Sequence, residues 1–377
     1  MLILIIFAAE INAEQMKLHI FNPEHDIALA TNVKRFTAPH AARQLRSEMG
    51  FLPALWASDG DMVMVDDIKA AEHRLNRLKR YAANVSLVSL NNAPSLQLMQ
   101  HDLDEIESIE PWGWDSGVAE ILQKAGLPQK LIPHTKHLED IRQLSNRCWA
   151  ASNLLPEVRR ADDLMMGDSW YIKDFNELSL KVSGGGCYVM KAPWSSSGRG
   201  IRYLTHPDHW LRNQTWARNI IERQGGIMVE PYYNKVKDFG MEFLAHADGS
   251  VTYEGLSLFQ TINGAYSGSI IDTEAEKQMI LERYVPAKLL ETTLNTICEV
   301  LSRNLKNRYQ GPLGVDMMIV TDADNQLRLH PCVELNLRRT MGHVALSFEV
   351  GETIPRRLMR IFYTDKYHFR VSMVKKT

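Results

Sequence analysis

The segment Gly186–Ile201 constrains the fold of this chain more than any other stretch. It begins as a short apolar strand that carries one lysine, Lys191, and continues as a Ser/Gly-rich loop that ends in Gly198-Arg199-Gly200. A lysine at a strand end supplies a point cation for phosphate, and the backbone N–H groups of such a loop can close over phosphate oxygens. The same pattern also fits a strand followed by an ordinary surface hairpin loop.

Two common phosphate-binding loops do not match this segment. A Walker A loop ends in Gly-Lys-Ser/Thr, and no such triplet closes the stretch. In protein kinases the glycines precede the lysine by a strand, whereas here the lysine comes first. If the segment binds a nucleotide, the fold must be one in which the lysine precedes the loop.

Composition narrows the class of protein. A length of 377 residues suggests two or three domains of about 150 residues. A net charge of −2 gives no electrostatic case for binding nucleic acid. The four cysteines are scattered and form no C-x-x-C pair. Their spacing argues against a disulfide framework and a structural zinc site, and it predicts a reducing compartment, the cytoplasm.

The first 15 residues need separate treatment. The apolar run Met1–Ala9 is too short to span a bilayer, and it lacks the preceding Lys or Arg of a signal peptide. A second methionine, Met16, is followed at once by a predicted strand. We therefore expect residues 1–15 to be an extension or a mis-assigned start. A signal peptide is the alternative, and it would remove the cytoplasmic assignment.

Strands alternate with helices over residues 16–135, which predicts a mostly parallel α/β domain. The first strand, Lys17–Asn22, enters a polar turn that contains Glu24, His25 and Asp26. Ligands gather at the carboxyl ends of such strands, so these side chains are candidates to face a substrate. The alternative is that Asn22 or Asp26 only caps the turn or the next helix.

Local patterns predict several further elements. They indicate a strand at Ala54–Trp56, a basic amphipathic helix over Ala70–Ala83 and a helix over Leu138–Leu155 that contains Ser145-Asn146-Arg147. Later in the chain, Gly264–Ser269 is predicted to form a second flexible loop.

A predicted β-hairpin brings three oxygen-bearing side chains together. Its arms are residues 311–320 and 326–340, joined by the turn 321–325. Glu334 and Asn336 are two residues apart and share a face, and antiparallel pairing sets Asp316 beside them. Three such oxygens suit Mg²⁺ and leave room for water and phosphate oxygens. The alternative is a solvated hairpin face.

Taken in order, these segments resemble the ATP-grasp superfamily, over about Leu144 to Leu346. The resemblance implies an ATP-grasp fold, in which two α+β subdomains clasp ATP, preceded here by the mostly parallel α/β domain. The implied boundaries are 16–135 for the first domain, 136–225 and 226–377 for the two subdomains, and 1–15 for the extension.

The resemblance also implies a role for each matching residue. Arg147 matches the first phosphate-contacting basic position, and Lys191 matches the lysine on the α- and β-phosphates. The closing loop matches Ser195, Ser196, Ser197 and Gly198. The adenine hinge matches Glu230 and Tyr232, and the ribose ligand matches Asp238. The magnesium ligands match Asp316, Glu334 and Asn336.

The sequence departs from the family pattern at two places. Arg147 replaces the usual lysine, which keeps the charge but changes its geometry. Many members carry an arginine two residues before the hairpin aspartate to stabilise an oxyanion, and here that position is Gly314. Arg338 or Arg339, just after Asn336, is the candidate to take over that role.

The activity implied by the resemblance is an ATP-dependent, ADP-forming ligase. It would join a small-molecule carboxylate to an amine or a thiol through an acylphosphate, with ATP and one or two Mg²⁺ ions, and with Lys191, Arg338 and Arg339 as catalytic residues. We expect no nucleic-acid or membrane partner, and a homodimer is compatible with this assignment. Two alternatives stay open: a phosphotransferase to a hydroxyl on the same fold, and a nucleotide-binding protein without ligase activity.

Overall fold

Four sheets of four strands each organise the computed structural model, which describes residues 16–33, 35–91, 105–195, 200–262 and 265–374. The strands of these ranges are β1 (Met16–Ile20), β2 (Met62–Met64), β3 (Ser86–Val88), β4 (Ile106–Pro111), β5 (Trp170–Ile172), β6 (Tyr188–Lys191), β7 (Ile201–Leu204), β8 (Ile227–Pro231), β9 (Asn234–Ala245), β10 (Val251–Ser257), β11 (Phe259–Ile262), β12 (Ala265–Ile271), β13 (Gly311–Thr321), β14 (Leu327–Asn336), β15 (Arg357–Tyr363) and β16 (Tyr367–Met373).

Twelve α-helices accompany the strands within the same ranges. They are α1 (His25–Thr31), α2 (His40–Met49), α3 (Ile68–Leu75), α4 (Ser116–Lys124), α5 (Thr135–Leu144), α6 (Arg147–Trp149), α7 (Leu155–Arg159), α8 (Phe175–Ser183), α9 (Pro207–Gln224), α10 (Glu274–Glu282), α11 (Ala287–Leu305) and α12 (Met341–Leu346). None of these helices is both long and apolar enough to cross a membrane.

The first sheet is parallel throughout, in the order β3-β2-β1-β4. This confirms the predicted parallel α/β domain. Strand β1 has β2 on one side and β4 on the other, so the strand order reverses at β1. The hydrophobic residues of this sheet belong to two cores. One core lies under α4, and the other includes residues of α12, β15 and β16.

Two predicted elements of this first domain are wrong in type or length. Residues 52–55 form a 3₁₀ turn instead of a strand at Ala54–Trp56, because Pro53 stands at the start of the turn and lacks an N–H for strand pairing. The predicted helix Ala70–Ala83 begins at Ile68 and ends at Leu75. Beyond Leu75 the backbone N–H groups bond three residues back, which tightens the chain into turns.

The second sheet, β5-β8-β6-β7, is antiparallel and lies under α8 and α9. The two helices bury Leu178, Val182, Trp210 and Ala217 against it. The sheet delivers Lys191 at the end of β6.

The third and fourth sheets are antiparallel, in the orders β10-β9-β13-β14 and β11-β12-β15-β16. The third sheet shares its core with α11 and with the helices of residues 135–159. The prediction of a loop at Gly264–Ser269 is wrong for residues 265–269, which lie in β12, because this strand pairs with both β11 and β15. Gly264 lies outside the described residues.

The predicted helix Leu138–Leu155 is broken just before Arg147. Helix α5 ends at Leu144, and the side chain of Asn146 accepts the N–H of Cys148, which starts a new helix. An asparagine cap of this kind competes with continuous helix. The new segment passes through a π-helical turn, Ala150–Leu154, and Arg147 therefore stands at a helix start instead of inside a helix.

Candidate active site

Lys191 reaches from the second sheet to the third. Its side chain is buried, with 6% of the residue exposed. The Nζ atom lies 2.6 Å from Glu230 Oε2, on the neighbouring strand β8, and donates to the carbonyl of Val333 on β14 at 3.5 Å. The lysine ammonium therefore stands at the junction of the two sheets that the ATP-grasp resemblance places around a nucleotide.

Arg147 ties the start of the Ser/Gly loop to the hairpin. Its guanidinium donates to the carbonyl of Ala192 at 2.7 Å and to the Oγ and carbonyl of Ser195 at 2.9 and 3.0 Å. It also lies 2.5 Å from Glu334 Oε1. The arginine is buried, so one cation links β6, the loop and β14.

The loop is described only at its two ends. Ser196, Ser197 and Gly198 lie outside the described residues. At the base, the N–H of Ala192 donates to the carbonyl of Gly200 at 2.8 Å. A Cβ atom at Gly200 would stand 2.2 Å from Ser195 Oγ, so this close approach requires glycine.

The hairpin of β13 and β14 places the three predicted oxygen side chains side by side. Asp316 pairs with Glu334 and Gly314 pairs with Asn336 in the strand register. The side-chain amide of Asn336 donates to Asp316 Oδ2 at 3.2 Å. Just beyond, the register shifts between Asp316 and Met318, which leaves extra residues on β14 and re-aims its backbone towards Lys191.

Negative charge is crowded at this position. Burial, and then the neighbouring Glu334, raise the pKa of Asp316 to about 7. Burial, and then Asp316, raise the pKa of Glu242 on the adjacent strand β9 to about 8. No group of three His, Cys, Asp or Glu side chains in the described ranges has the geometry of a metal site. Two carboxylates and one amide nevertheless fit Mg²⁺, because a divalent cation would offset the burial and the Glu334 charge that raise the pKa of Asp316.

Glu242 was missed by the sequence reasoning, although a carboxylate inside an apolar strand was a visible signal. A Cβ atom at Gly314 would stand 2.5 Å from Glu242 Oε2, and one at Gly342 would stand 1.8 Å from Oε1. The glycine at the position of the family's oxyanion arginine therefore makes room for this carboxyl group.

The contact between Glu242 and His343 is not an ion pair. His343 Nδ1 lies 3.1 Å from Glu242 Oε2 and accepts the N–H of Thr340 at 3.1 Å. Burial lowers the pKa of His343 to about 3, so its ring is neutral. The lone pair of Nδ1 is already used by the Thr340 N–H, and Glu242 Oε2 has no hydrogen-bond partner among the described residues.

Arg338 joins the hairpin to the first domain. Its Nε donates to both carboxylate oxygens of Asp26 at 3.1 and 3.2 Å, and its Nη2 donates to Asn336 Oδ1 at 2.9 Å. Burial works to raise the pKa of Asp26, but the Arg338 guanidinium outweighs it and holds that pKa below its usual value. The alternative that Asn22 or Asp26 caps α1 is wrong, because Asn22 bonds to Gly113 and no side chain caps this helix.

Arg339 points away from this cluster. Its Nη2 lies 3.8 Å from Glu110 Oε2, and its guanidinium stands 4.8 Å from the ring centre of Trp56. Both partners belong to the first domain. Of the two candidate oxyanion arginines, only Arg338 contacts one of the three hairpin oxygen side chains.

The residues predicted to hold adenine and ribose lie on two sheets, with Glu230 on β8, Tyr232 just after it and Asp238 on β9. Ser169 Oγ donates to Glu230 Oε1 at 3.1 Å, and the N–H of Tyr232 donates to the carbonyl of Cys187 at 2.9 Å, with the tyrosine 48% exposed. Asp238 accepts from Lys235 Nζ at 2.6 Å and from Thr261 Oγ1 at 2.7 Å, and a ribose hydroxyl would compete with both donors.

His330 is a second buried group that the sequence reasoning missed. It lies on β14 with 1% of its surface exposed, and neither ring nitrogen has a hydrogen-bond partner among the described residues. Its ring stands 5.5 Å from that of Tyr233. Burial lowers the pKa of His330 to about 4, so the ring is neutral at pH 7.

Comparison with known proteins bears on the fold. No protein-family model matches the sequence, and no curated protein does either. Among solved structures, the biotin carboxylase domain of 2-oxoglutarate carboxylase from Hydrogenobacter thermophilus matches with a TM-score of 0.52 and 14% identity, over 92% of this chain and 74% of that one. The chain has the ATP-grasp fold. The predicted fold class is thereby confirmed.

Two further matches have lower scores. N5-carboxyaminoimidazole synthetase from Staphylococcus aureus, complexed with ADP, has a TM-score of 0.49 and 13% identity over 92% of this chain and 82% of that one. Biotin carboxylase from Campylobacter jejuni has a TM-score of 0.47 and 14% identity over 92% of this chain and 75% of that one. At these identities the similarity concerns the fold.

Proposed function

We propose that this protein is an ATP-dependent, ADP-forming ligase that joins a small-molecule carboxylate to an amine or a thiol through an acylphosphate. One observation carries the proposal: Lys191 from the second sheet and Arg147 from the start of α6 meet the oxygen cluster of the third sheet. Arg147 lies 2.5 Å from Glu334, and Lys191 donates to the backbone of the adjacent Val333. Asp316 and Asn336 complete the cluster.

The proposal assigns the nucleotide to the space between the second and third sheets. Lys191 and Arg147 face its phosphates, and the loop from Ser195 through Ser196, Ser197 and Gly198 covers them. Glu230 and Tyr232 hold adenine, largely by their backbone, and Asp238 takes the ribose. In support, the matching domain from Hydrogenobacter thermophilus is a complex with magnesium ADP, ADP and bicarbonate.

Asp316, Glu334 and Asn336 would hold Mg²⁺, which when bound neutralises charge on the β- and γ-phosphates. The remaining steps belong to the protein side chains. Lys191 and Arg147 stabilise the negative charge that spreads over the transferring phosphoryl group. The burial of both cations makes this stabilisation stronger than it would be in water.

The second half of the reaction needs a donor for the tetrahedral oxyanion, and the geometry favours Arg338 over Arg339. Arg338 contacts Asn336 directly, whereas Arg339 faces Glu110 and Trp56. Asp26 accepts from the Nε of Arg338 through both of its oxygens and fixes the plane of the guanidinium. In this scheme Asp26 acts as a positioning residue.

Thermal unfolding with Mg-ATP tests nucleotide binding. ATP at about 100 times its Kd adds roughly 2.7 kcal/mol to the native state. At roughly 2.1 cal/mol/K of unfolding entropy per residue, this is an upward shift of about 3 °C when all 377 residues unfold together. Lys191→Met should abolish the shift, and the matched control Lys173→Met, at an exposed lysine, should retain it.

Product analysis then distinguishes the three activities. A ligase releases ADP and free phosphate only when a carboxylate and an amine or thiol are both present. A phosphotransferase gives ADP and a phosphate ester with no free phosphate. A magnesium-dependent shift with no ADP formation for any substrate pair would favour a binding protein without ligase activity. No shift at millimolar Mg-ATP would contradict the proposal at its first step.

A further inference from the structure

A cavity of about 280 Å³ lies in the first domain, away from the hairpin and the Ser/Gly loop. It opens at the carboxyl edge of the parallel sheet, where the chain leaves β1, β2 and β3, and α4 closes its other side. Strand order reverses at β1, and such a reversal point is where open α/β sheets bind ligands. The volume is close to the lower end of the range for small-molecule sites, about 300–1,000 Å³, so it suits a metabolite instead of a dinucleotide.

The walls are mostly apolar, with two buried carboxylates, Glu24 and Asp115. Asp115 is satisfied by the N–H groups at the start of α4 and by the Asn22 amide. Phe21, Val118 and Leu122 are among the apolar lining residues. Glu24 also lines the cavity and is 6% exposed. Its Oε1 accepts from Arg46 Nη1 at 2.6 Å, but its Oε2 has no hydrogen-bond partner within the described ranges.

A buried carboxylate oxygen without a partner is costly, and a ligand that donates a hydrogen bond would remove that cost. Burial raises the pKa of Glu24 despite its pairing with Arg46, which shows that one cation does not fully compensate the site. Asp66, also in the lining, lies 3.6 Å from the Nε of the same Arg46. Two carboxylates thus share one guanidinium, and the exposed Arg43 stands at the edge.

The turn that leads out of β1 argues against an anionic ligand. Phosphate-binding domains of this topology carry glycines in the first turn, where backbone N–H groups and a helix N-terminus meet the anion. Here the turn reads Asn22-Pro23-Glu24-His25-Asp26, which contains no glycine and two acidic side chains. A positively charged donor is the complementary ligand.

We propose that this cavity binds a small molecule that carries a protonated amine on an apolar body, with the amine donating to Glu24. The site itself does not depend on the ATP chemistry. The further assignment, that the occupant is the amine substrate, rests on the proposed ligase function. This assignment is supported by Asp26, which contacts Arg338 just after the hairpin. Asp26 is two residues from Glu24, at most about 7 Å along the chain.

Calorimetric titration of the full chain with 2-phenylethylamine and, as the anionic counterpart, 3-phenylpropionate tests this site. We expect the amine to bind with a Kd in the millimolar range or tighter, and the carboxylate not to bind. Glu24→Gln should weaken amine binding at least about tenfold. Glutamine keeps an oxygen for Arg46 but turns an N–H₂ group towards the amine. The control Glu72→Gln, at an exposed glutamate of the same domain, should bind like wild type.

A second variant keeps the test decisive if Glu24→Gln does not fold. Ile121 lines the cavity from α4 and is 42% exposed, so Ile121→Trp can fill the space without strain in the core. We expect it to abolish amine binding and to leave the Mg-ATP shift intact. Binding of 3-phenylpropionate instead of the amine, no amine binding by wild type, or equal amine binding by wild type and both variants would overturn the proposal. Amine binding without any Mg-ATP shift would uphold this site and reject the ligase.

Discussion

Replacing Lys191 by methionine removes a buried cation and leaves its partner, Glu230, as an uncompensated buried carboxylate. The two charged atoms are 2.6 Å apart, and both residues are 6% exposed. Breaking such a pair by removing one partner costs about 3–5 kcal/mol. Divided by an unfolding entropy of about 0.8 kcal/mol/K for 377 residues, this predicts a fall in Tm of about 4–6 °C.

The double variant Lys191→Met/Glu230→Leu separates the structural role of the lysine from its role in binding. It removes the pair as a unit, and replacing a buried pair by apolar side chains is often neutral or stabilising. Ser169 loses its acceptor, at about 1 kcal/mol. We therefore expect most of the lost Tm to return, while the Mg-ATP shift stays absent because the Lys191 cation no longer faces the phosphates.

The assay is a double-mutant cycle. Urea or thermal unfolding of wild type, the two single variants and the double variant gives a coupling energy, which we expect to be about 2–3 kcal/mol in favour of the pair. A coupling near zero, with the double variant as unstable as the sum of the singles, would refute the reasoning. Recovery of the Mg-ATP shift in the double variant would mean that Lys191 is not needed for nucleotide binding.

Three more predictions concern other parts of the site. Arg338→Lys should lower the steady-state rate of ligated-product formation by about 10²-fold, the effect of losing one oxyanion donor, and Asp26→Asn by less, since it only orients the guanidinium. Gly342→Ala should destabilise the fold by at least about 3 kcal/mol in urea unfolding, because the new Cβ would stand 1.8 Å from Glu242 Oε1, and Glu242→Ala should rescue it. Between pH 6.5 and pH 4, wild type should lose about 3 kcal/mol more stability than His330→Leu, because the unfolded state protonates His330 and the native state, with a pKa of about 4, does not.

Each of these has a contrary result. Equal rates for wild type and Arg338→Lys would mean that another group stabilises the oxyanion. Failure of Glu242→Ala to rescue Gly342→Ala would mean that the clash lies with another group. An unchanged loss of stability at low pH in His330→Leu, with the exposed His40→Gln as control, would mean that the histidine already titrates normally in the native state.

The hairpin was predictable because its information is local. Alternating apolar residues and the turn at 321–325 fix the register, and the register sets Asp316 opposite Glu334. The strand that ends in Lys191 was predictable for the same reason. The break before Arg147 was visible in principle, since Asn146 is a strong cap, but the flanking helical pattern concealed it.

Contacts between distant segments were not predictable in this way. Arg338 and Asp26 are 312 positions apart, and no local pattern reports their pairing. Glu242 meets Gly342 and His343 across 100 residues or more. Periodicity predicts which face of an element is buried, but the partner on that face follows from the packing of whole sheets.

The departure at Gly314 has a physical reason that links these contacts. An arginine side chain at 314 would occupy the space of Glu242, since even a Cβ atom there would stand 2.5 Å from its Oε2. The space is instead filled by the Glu242 carboxyl group, whose pKa burial raises to about 8, so position 314 supplies no cation to the hairpin. A cation is still needed beside Asn336, and the end of β14 supplies it as Arg338. Because Asp26 holds Arg338, the oxyanion donor of the proposed ligase depends on the docking of the first domain. An arginine at position 314 would not depend on that docking.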